Sequence, residues 1–199
     1  MTIRGTNKMS FSNEKSSMIQ KKLQMNGVNV QSEINIDQSL KHLSQEYAKM
    51  FSKSGYNHFP KIDLMKNDTR SDQMIMINNI QFISFCEHHL LVIDGFSTVA
   101  YVPKKYIVGF SKISQIVHFF SKRPQLQERL TRQILISLKT ILDIEDVAVF
   151  VRAVHYCMKL KTQDGSSDVI TTELSGSFLS NHSLKNNFFR SCYSFNKGG

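Results

Sequence analysis

The chain lacks any run of about 18 apolar residues, so nothing in it reads as a membrane-spanning helix. Its first residues carry charge with no apolar core behind them, which gives no support to a secretory signal. Cysteine is scarce: three in 199 residues cannot build a disulfide framework, and this agrees with a reducing compartment, the cytoplasm by default. Acidic residues are outnumbered, 16 against 25 basic ones, giving a formal net charge of +9. Such a balance invites an anionic partner, yet no recognisable nucleic-acid motif accompanies it, and Lys15, Lys21, Lys22, Lys104 and Lys105 are dispersed. A small substrate with concentrated phosphate charge suits the chain better than nucleic acid or a membrane surface. No internal repeat is evident, and the length and 41% hydrophobic content fit one domain with a full core.

The few cysteines that exist are not scattered. Cys86-Glu87-His88-His89 and, far down the chain, His155-Tyr156-Cys157 together hold two of the three cysteines and three of the seven histidines. Cys86 and His89 are three apart, so one tight turn can aim a thiolate and an imidazole at the same point. His155 and Cys157 are two apart, the spacing that puts both on one face of a strand. The two pairs are expected to converge on a zinc ion held by Cys86, His89 and Cys157. Three protein ligands leave one tetrahedral position open, as in a catalytic site, and His88 and His155 then stand where a proton carrier is needed. A closed structural site with His88 or His155 as fourth ligand satisfies the same spacing, and a buried thiol beside an ordinary histidine would satisfy the first cluster alone.

Along the chain, residues 1–35 are rich in Ser, Asn, Lys, Gln and Met and read as a flexible polar leader, with a single domain over 36–199. Leu40, Leu43, Tyr47, Met50 and Phe51 have helical spacing across Ile36 to Ser52. Met74 to Phe85 and Phe96 to Val102 alternate as strands, with the first cluster in the connection between them. Ser111 is placed to cap a helix whose buried stripe is Ile113, Ile116, Val117 and Phe120. Pro124 suits the first turn of a second helix carrying Leu126, Leu130, Ile134, Leu138 and Ile141. The β-branched run Val147 to Val154 predicts a strand. Another is expected over Val169 to Phe178 across a turn at Gln163-Asp164-Gly165-Ser166, then a short helix after Ser183. The order strand, strand, helix, helix, strand, strand predicts an α+β fold: a four-stranded antiparallel sheet with two helices on one face. Its uncovered face and edges call for oligomerisation.

The two clusters, Gly-Phe-Ser-Lys at 109–112, Arg-Pro-Gln-Leu-Gln-Glu-Arg-Leu-Thr at 123–131 and Phe59-Pro60-Lys61-Ile62 occur in an order that closely resembles the GTP cyclohydrolase I family, from about Tyr47 to Phe189. The resemblance implies the tunnelling fold (T-fold), assembled into ring oligomers, usually a homodecamer, with active sites between subunits. It implies zinc-dependent hydrolysis of GTP at C8 of guanine, giving formate and 7,8-dihydroneopterin triphosphate, the first step of tetrahydrofolate and pterin biosynthesis. Zinc ligands map to Cys86, His89 and Cys157. The catalytic histidines map to His155, proton donor to the purine, and His88, a shuttle during ring opening and ribose rearrangement. Glu128 maps to the guanine anchor, Gln127 to a neighbour that frames the base, and Ser111 and Lys112 to phosphate contacts. Glu87 maps to no more than support for this or a neighbouring site.

The chain departs from the family at three phosphate-binding arginines: Lys41, Gln115 and Lys161 stand in their places. Lys41 and Lys161 keep a point charge for phosphate but give up the planar fork of guanidinium, and Gln115 has no charge. With Cys86, His89, Cys157 and Glu128 all in place, the resemblance still implies GTP as substrate. Two alternatives stand beside it: a diverged paralogue using a related purine nucleotide, and a catalytically silent zinc- and purine-binding oligomer.

Overall fold

Alternation of apolar and polar side chains dictates the sheet. The strands are β1 (Leu64–Lys66), β2 (Ile75–Cys86), β3 (Val92–Tyr101), β4 (Tyr106–Val108), β5 (Pro124–Gln125), β6 (Val147–His155) and β7 (Asp168–Leu174). Helices are α1 (Ile36–Phe51), α2 (Phe110–Ser121), α3 (Gln127–Leu142), α4 (Tyr156–Lys159), α5 (Ser177–Ser180) and α6 (His182–Ser194), with a 3-10 turn at Tyr56–His58. This computed structural model describes residues 36–52, 55–161 and 168–194 and short pieces between 18 and 26. Most of the expected leader and the expected turn at 163–166 lie outside the described residues. The chain divides into two compact units, Met1–Glu46 and Tyr47–Gly199.

In the first unit, which holds α1 up to Glu46, Leu40 and Leu43 are 55% and 47% exposed. The second unit holds the main sheet, in the order β5-β2-β3-β6-β7. β2, β3, β6 and β7 are antiparallel neighbours, the four-stranded sheet expected. Two additions escape sequence reading: β5, which joins the β2 edge in parallel over two positions, and the small β1–β4 pair.

One face of the sheet carries α2 and α3. Ile113, Ile116, Val117, Leu130, Ile134 and Leu138 pack there against Ile93, Val99, Val147, Val149 and Val151. Fully burying a side chain of this size contributes about 1.5–3 kcal/mol, so this layer is the main source of stability. The opposite face is covered in part: Phe178 of α5 and Phe188 and Cys192 of α6 pack on Ala100, Ala148 and Phe150.

β2 reaches the core face by a change of phase. Ile75 and Ile77 pack against the helix layer, and after them Ile80, Phe82 and Cys86 do so, which strict alternation forbids. The extra residue lies at Asn78-Asn79, where the register slips between Ile77↔Val99 and Ile80↔Ser97. Asn79 has φ +55°, a left-handed conformation that asparagine tolerates better than most residues.

Several boundaries differ from expectation for physical reasons. The N-cap of α2 is Gly109, with no side-chain cap bond, so Ser111 lies within the first turn. Pro124 is in β5, because Phe85 and Cys86 recruit it to the sheet, and α3 starts at Gln127. β7 ends at Leu174: Gly176, with φ +55°, breaks the strand, and Ser177–Ser180 is helical. The helix expected after Ser183 begins at His182 and extends to Ser194.

Candidate active site at one end of the sheet

Strand register brings the two sequence clusters together. Phe85 pairs with Val92 across β2 and β3, and Ile93 pairs with His155 across β3 and β6, so the end of β2 and the end of β6 flank the start of β3. A tight turn joins β2 to β3. Cys86 N–H donates to Leu91 O (2.8 Å), Leu90 N–H to Cys86 O (2.8 Å), and Leu90 has φ +51°. The Tyr47 hydroxyl fixes this turn from outside by donating to Leu90 O at 2.8 Å. Opposite, β5 pairs Gln125 with Cys86, which sets the start of α3, with Gln127 and Glu128, beside the turn.

Cys86 Sγ lies 3.5 Å from His89 Nδ1. With Cys157 Sγ, these donor atoms all fall within 4.8 Å of one another. His155 and Cys157 are not on one strand face as expected. β6 stops at His155, and Cys157 belongs to the single helical turn α4, whose backbone swings its buried thiol toward Cys86. Burial raises the Cys157 thiol above the ordinary cysteine value, and the hydrogen bond and charge of neighbouring Cys86 raise it further. Two sulfurs this close, with an imidazole beside them, fit a soft divalent cation, whose charge would offset what holds the Cys157 thiol protonated.

The remaining candidates surround this cluster unevenly. His88 is exposed in the turn, its ring centroid 6.3 Å from that of His89. His155 is half-buried, and burial holds it below the ordinary imidazole value while the Glu128 carboxylate pulls the other way. It is therefore neutral at pH 7. Glu128 is exposed in the first turn of α3, where the helix N-terminus favours a carboxylate, and it has no ion pair among the described residues. Glu87 does have one, at 2.8 Å to Arg129. Lys161 Nζ reaches His89 Nε2 at 3.4 Å. Ser111 is exposed, and Lys112 donates to Lys61 O at 3.2 Å, tying the α2 start to the Phe59–Ile62 segment. Lys41 lies on α1 in the first unit.

Gln127 is only 2% exposed. Its amide nitrogen faces Val169 O (2.9 Å), Thr171 Oγ1 (3.2 Å) and Val151 O (3.3 Å), and its amide oxygen faces His155 Nε2 at 2.6 Å. Thr131 and Thr171, which sequence reading did not single out, complete this buried network. The only available signal was a polar residue at the helix start, which ordinarily marks an exposed cap.

The strand ends of this α+β sheet gather two thiols and an imidazole that could hold a metal ion, with a neutral second histidine beside them. The GTP cyclohydrolase I family model matches residues 15–193. A GTP cyclohydrolase 1 of Shewanella loihica is 48% identical over 158 residues, covering 76% of this chain and 74% of that protein. Those of Erwinia tasmaniensis and an Escherichia coli strain are 47% and 46% identical, covering 78% and 77% of this chain and 73% and 72% of their own. The chain belongs to the GTP cyclohydrolase I family. Among solved structures, an archaeosine synthase QueF-like protein in the apo form aligns over 50% of this chain and 92% of its own, at 18% identity and a TM-score of 0.39.

Proposed function

We propose that the chain is a zinc-dependent GTP cyclohydrolase I, hydrolysing GTP to 7,8-dihydroneopterin triphosphate and formate. The observation that carries this reading is the convergence of Cys86, His89 and Cys157 donor atoms within 4.8 Å, from two segments distant in sequence. When bound there, zinc supplies Lewis acidity and a hydroxide source at neutral pH.

The protein's own groups take the other roles. Neutral His155 can exchange a proton with the purine ring near pH 7, and exposed His88 is positioned to shuttle one during ring opening and ribose rearrangement. Glu128 accepts the guanine N1 and exocyclic amino hydrogens, a paired, charge-assisted contact that a carboxylate without an ion-pair partner is free to make. Ser111, Lys112, Lys41 and Lys161 take the phosphates. The absence of charge at Gln115 weakens the clamp by one contact, about 1.5–3 kcal/mol, or roughly ten- to a hundredfold in affinity.

The reading includes a homo-oligomer, a decamer by family resemblance, acting in the cytoplasm at the start of pterin synthesis. Exposed Leu40 and Leu43 on α1 support a partner copy. So does the β2 edge: β5 pairs only with Phe85 and Cys86, and beside the rest runs an apolar groove of about 780 Å³ lined by Met50, Phe82, Ile83 and Phe85. No helix among the described residues is long and apolar enough to cross a membrane.

The test is incubation of zinc-loaded protein with GTP, GDP and GMP, followed by assay of formate and, after oxidation, of neopterin fluorescence. Formate and neopterin from GTP are expected. Faster turnover of GDP or GMP would assign a different nucleotide. A zinc-replete protein that binds purines and releases no formate would overturn the catalytic reading.

A further inference from the structure

We propose that Gln127 is a positioning residue for His155. Its buried amide holds the imidazole in the form protonated at Nε2, and so makes Nδ1 the nitrogen through which His155 exchanges protons. The proposal deepens, and rests on, the reading of His155 as a proton carrier.

Which way the amide points follows from a count of protons. Gln127 O, on the backbone, is a carbonyl and can only accept, so Thr131 Oγ1, 2.8 Å away, spends its single proton there. The 2.6 Å contact between Thr131 and Thr171 hydroxyls must then use the Thr171 proton. Thr171 Oγ1 has only lone pairs left for Gln127, and the other two neighbours at that end are Val151 O and Val169 O, again acceptors only. The NH2 group must therefore face β6 and β7; the flipped amide would set oxygen against three acceptors in a buried place. Oε1 is left facing His155 Nε2 at 2.6 Å, and an amide oxygen cannot donate. Nε2 must carry the proton, whether the ring is neutral or cationic.

A carboxylate at position 127 could not do this, since it has no hydrogens for the two carbonyls. The burial of Gln127 also leaves it no surface to offer a purine, so its influence on the reaction passes through His155. A ring whose tautomer is fixed before substrate arrives presents one defined acceptor, which removes a reorganisation step from proton transfer.

Two measurements test this in the full-length, zinc-loaded protein. In nitrogen-15 NMR of histidine-labelled protein, with the His155 signals identified by their loss in His155→Ala, a pyrrole-type Nε2 and a pyridine-type Nδ1 are expected. The opposite tautomer would overturn the proposal. In steady-state kinetics, Gln127→Met, which keeps the length of the side chain and removes both amide functions, should lower kcat about ten- to a hundredfold with little change in KM for GTP. A raised KM at unchanged kcat would mark Gln127 as a contact to the base and would equally overturn it. The NMR result does not require turnover. A correct tautomer in a wild type that makes no formate therefore supports the positioning role and brings down only the functional reading, and if Gln127→Met does not fold, the wild-type tautomer decides.

Discussion

Gly95 of β3 faces Ala153 of β6 so closely that a Cβ on Gly95 would stand 2.5 Å from Ala153 Cβ and 2.6 Å from Arg152 O. The obstacle is backbone as well as side chain, so it cannot be relieved by a rotamer change. Two register positions on, Ile93 pairs with His155, and the strand ends that bear the site are therefore held by this close approach. Gly95→Ala is expected to destabilise the protein by about 1–3 kcal/mol, the usual cost of overpacking, and to weaken metal retention. Thermal unfolding and elemental analysis of the purified variant measure the two effects.

The two histidine-cysteine positions at the end of β6 should separate cleanly on mutation. Cys157→Ala removes a donor from the cluster and is expected to lose both bound zinc and product formation. His155→Ala is expected to keep zinc and lose product. Elemental analysis paired with the formate assay distinguishes them, and equal zinc loss in both would place His155 among the ligands.

Glu128→Gln keeps the shape of the side chain and removes its charge. If the carboxylate anchors guanine, affinity for GTP should fall roughly ten- to a hundredfold while zinc content is unchanged. Purine binding by calorimetry reads this directly; unchanged affinity would remove Glu128 from the base-binding role.

Burial beside Phe150 and Phe188 pushes the Cys192 thiol up to about 12, against the downward pull of a hydrogen bond with Thr98. Almost no thiolate is present at pH 8, and the thiolate is the species that alkylating reagents attack. Iodoacetamide should therefore modify Cys192 very slowly in the folded protein and rapidly in urea, as followed by mass spectrometry. Fast labelling without denaturant would show that α6 does not stay on the sheet.

Asp146 links acid stability to the joint between β6 and α5. Burial alone would raise its pKa, but the Ser177 backbone N–H, 2.7 Å from Oδ1, the Ser177 hydroxyl and the Lys104 ammonium outweigh it and hold the carboxyl below the ordinary aspartate range. A group depressed in the folded state contributes stability that is fully present above its unfolded pKa of about 3.9 and is lost as pH falls through the folded value. Asp146→Asn should be less stable than wild type at pH 6, with the gap closing below pH 4 or so, as urea unfolding at stepped pH would show. A gap that stayed constant with pH would mean the carboxylate charge is not what matters.

Much of this architecture can be read directly from side-chain periodicity. β6 is legible from its β-branched run, and the stripes of α2 and α3 point at the layer they bury. The candidate metal donors were legible from their clustering, and the three-residue spacing of Cys86 and His89 does constrain geometry locally, whereas the two-residue spacing of His155 and Cys157 suggested a shared strand face that α4 replaces. What stayed hidden depends on tertiary partners. Pro124-Gln125 is a strand only because β2 lies beside it, and Cys157 could not be told from a strand residue because β6 ends one position before α4 begins. The burial of Gln127, which the family resemblance set beside the purine, was hidden because nothing in a sequence shows that two carbonyls and a threonine from β6 and β7 will close over it.

The slip at Asn79 sets where the first sulfur ends up. Upstream of it β2 shows one set of side chains to the helices, downstream the complementary set, and Cys86 belongs to the second. Were Asn79 to pair as an ordinary strand residue, with no slip, the motif would be turned half a revolution about the strand axis, its thiol presented to the far side of the sheet. The chemistry of the centre is thus indexed by a backbone counter several residues away: the sulfur faces the helices only while one residue of β2 is left out of the count.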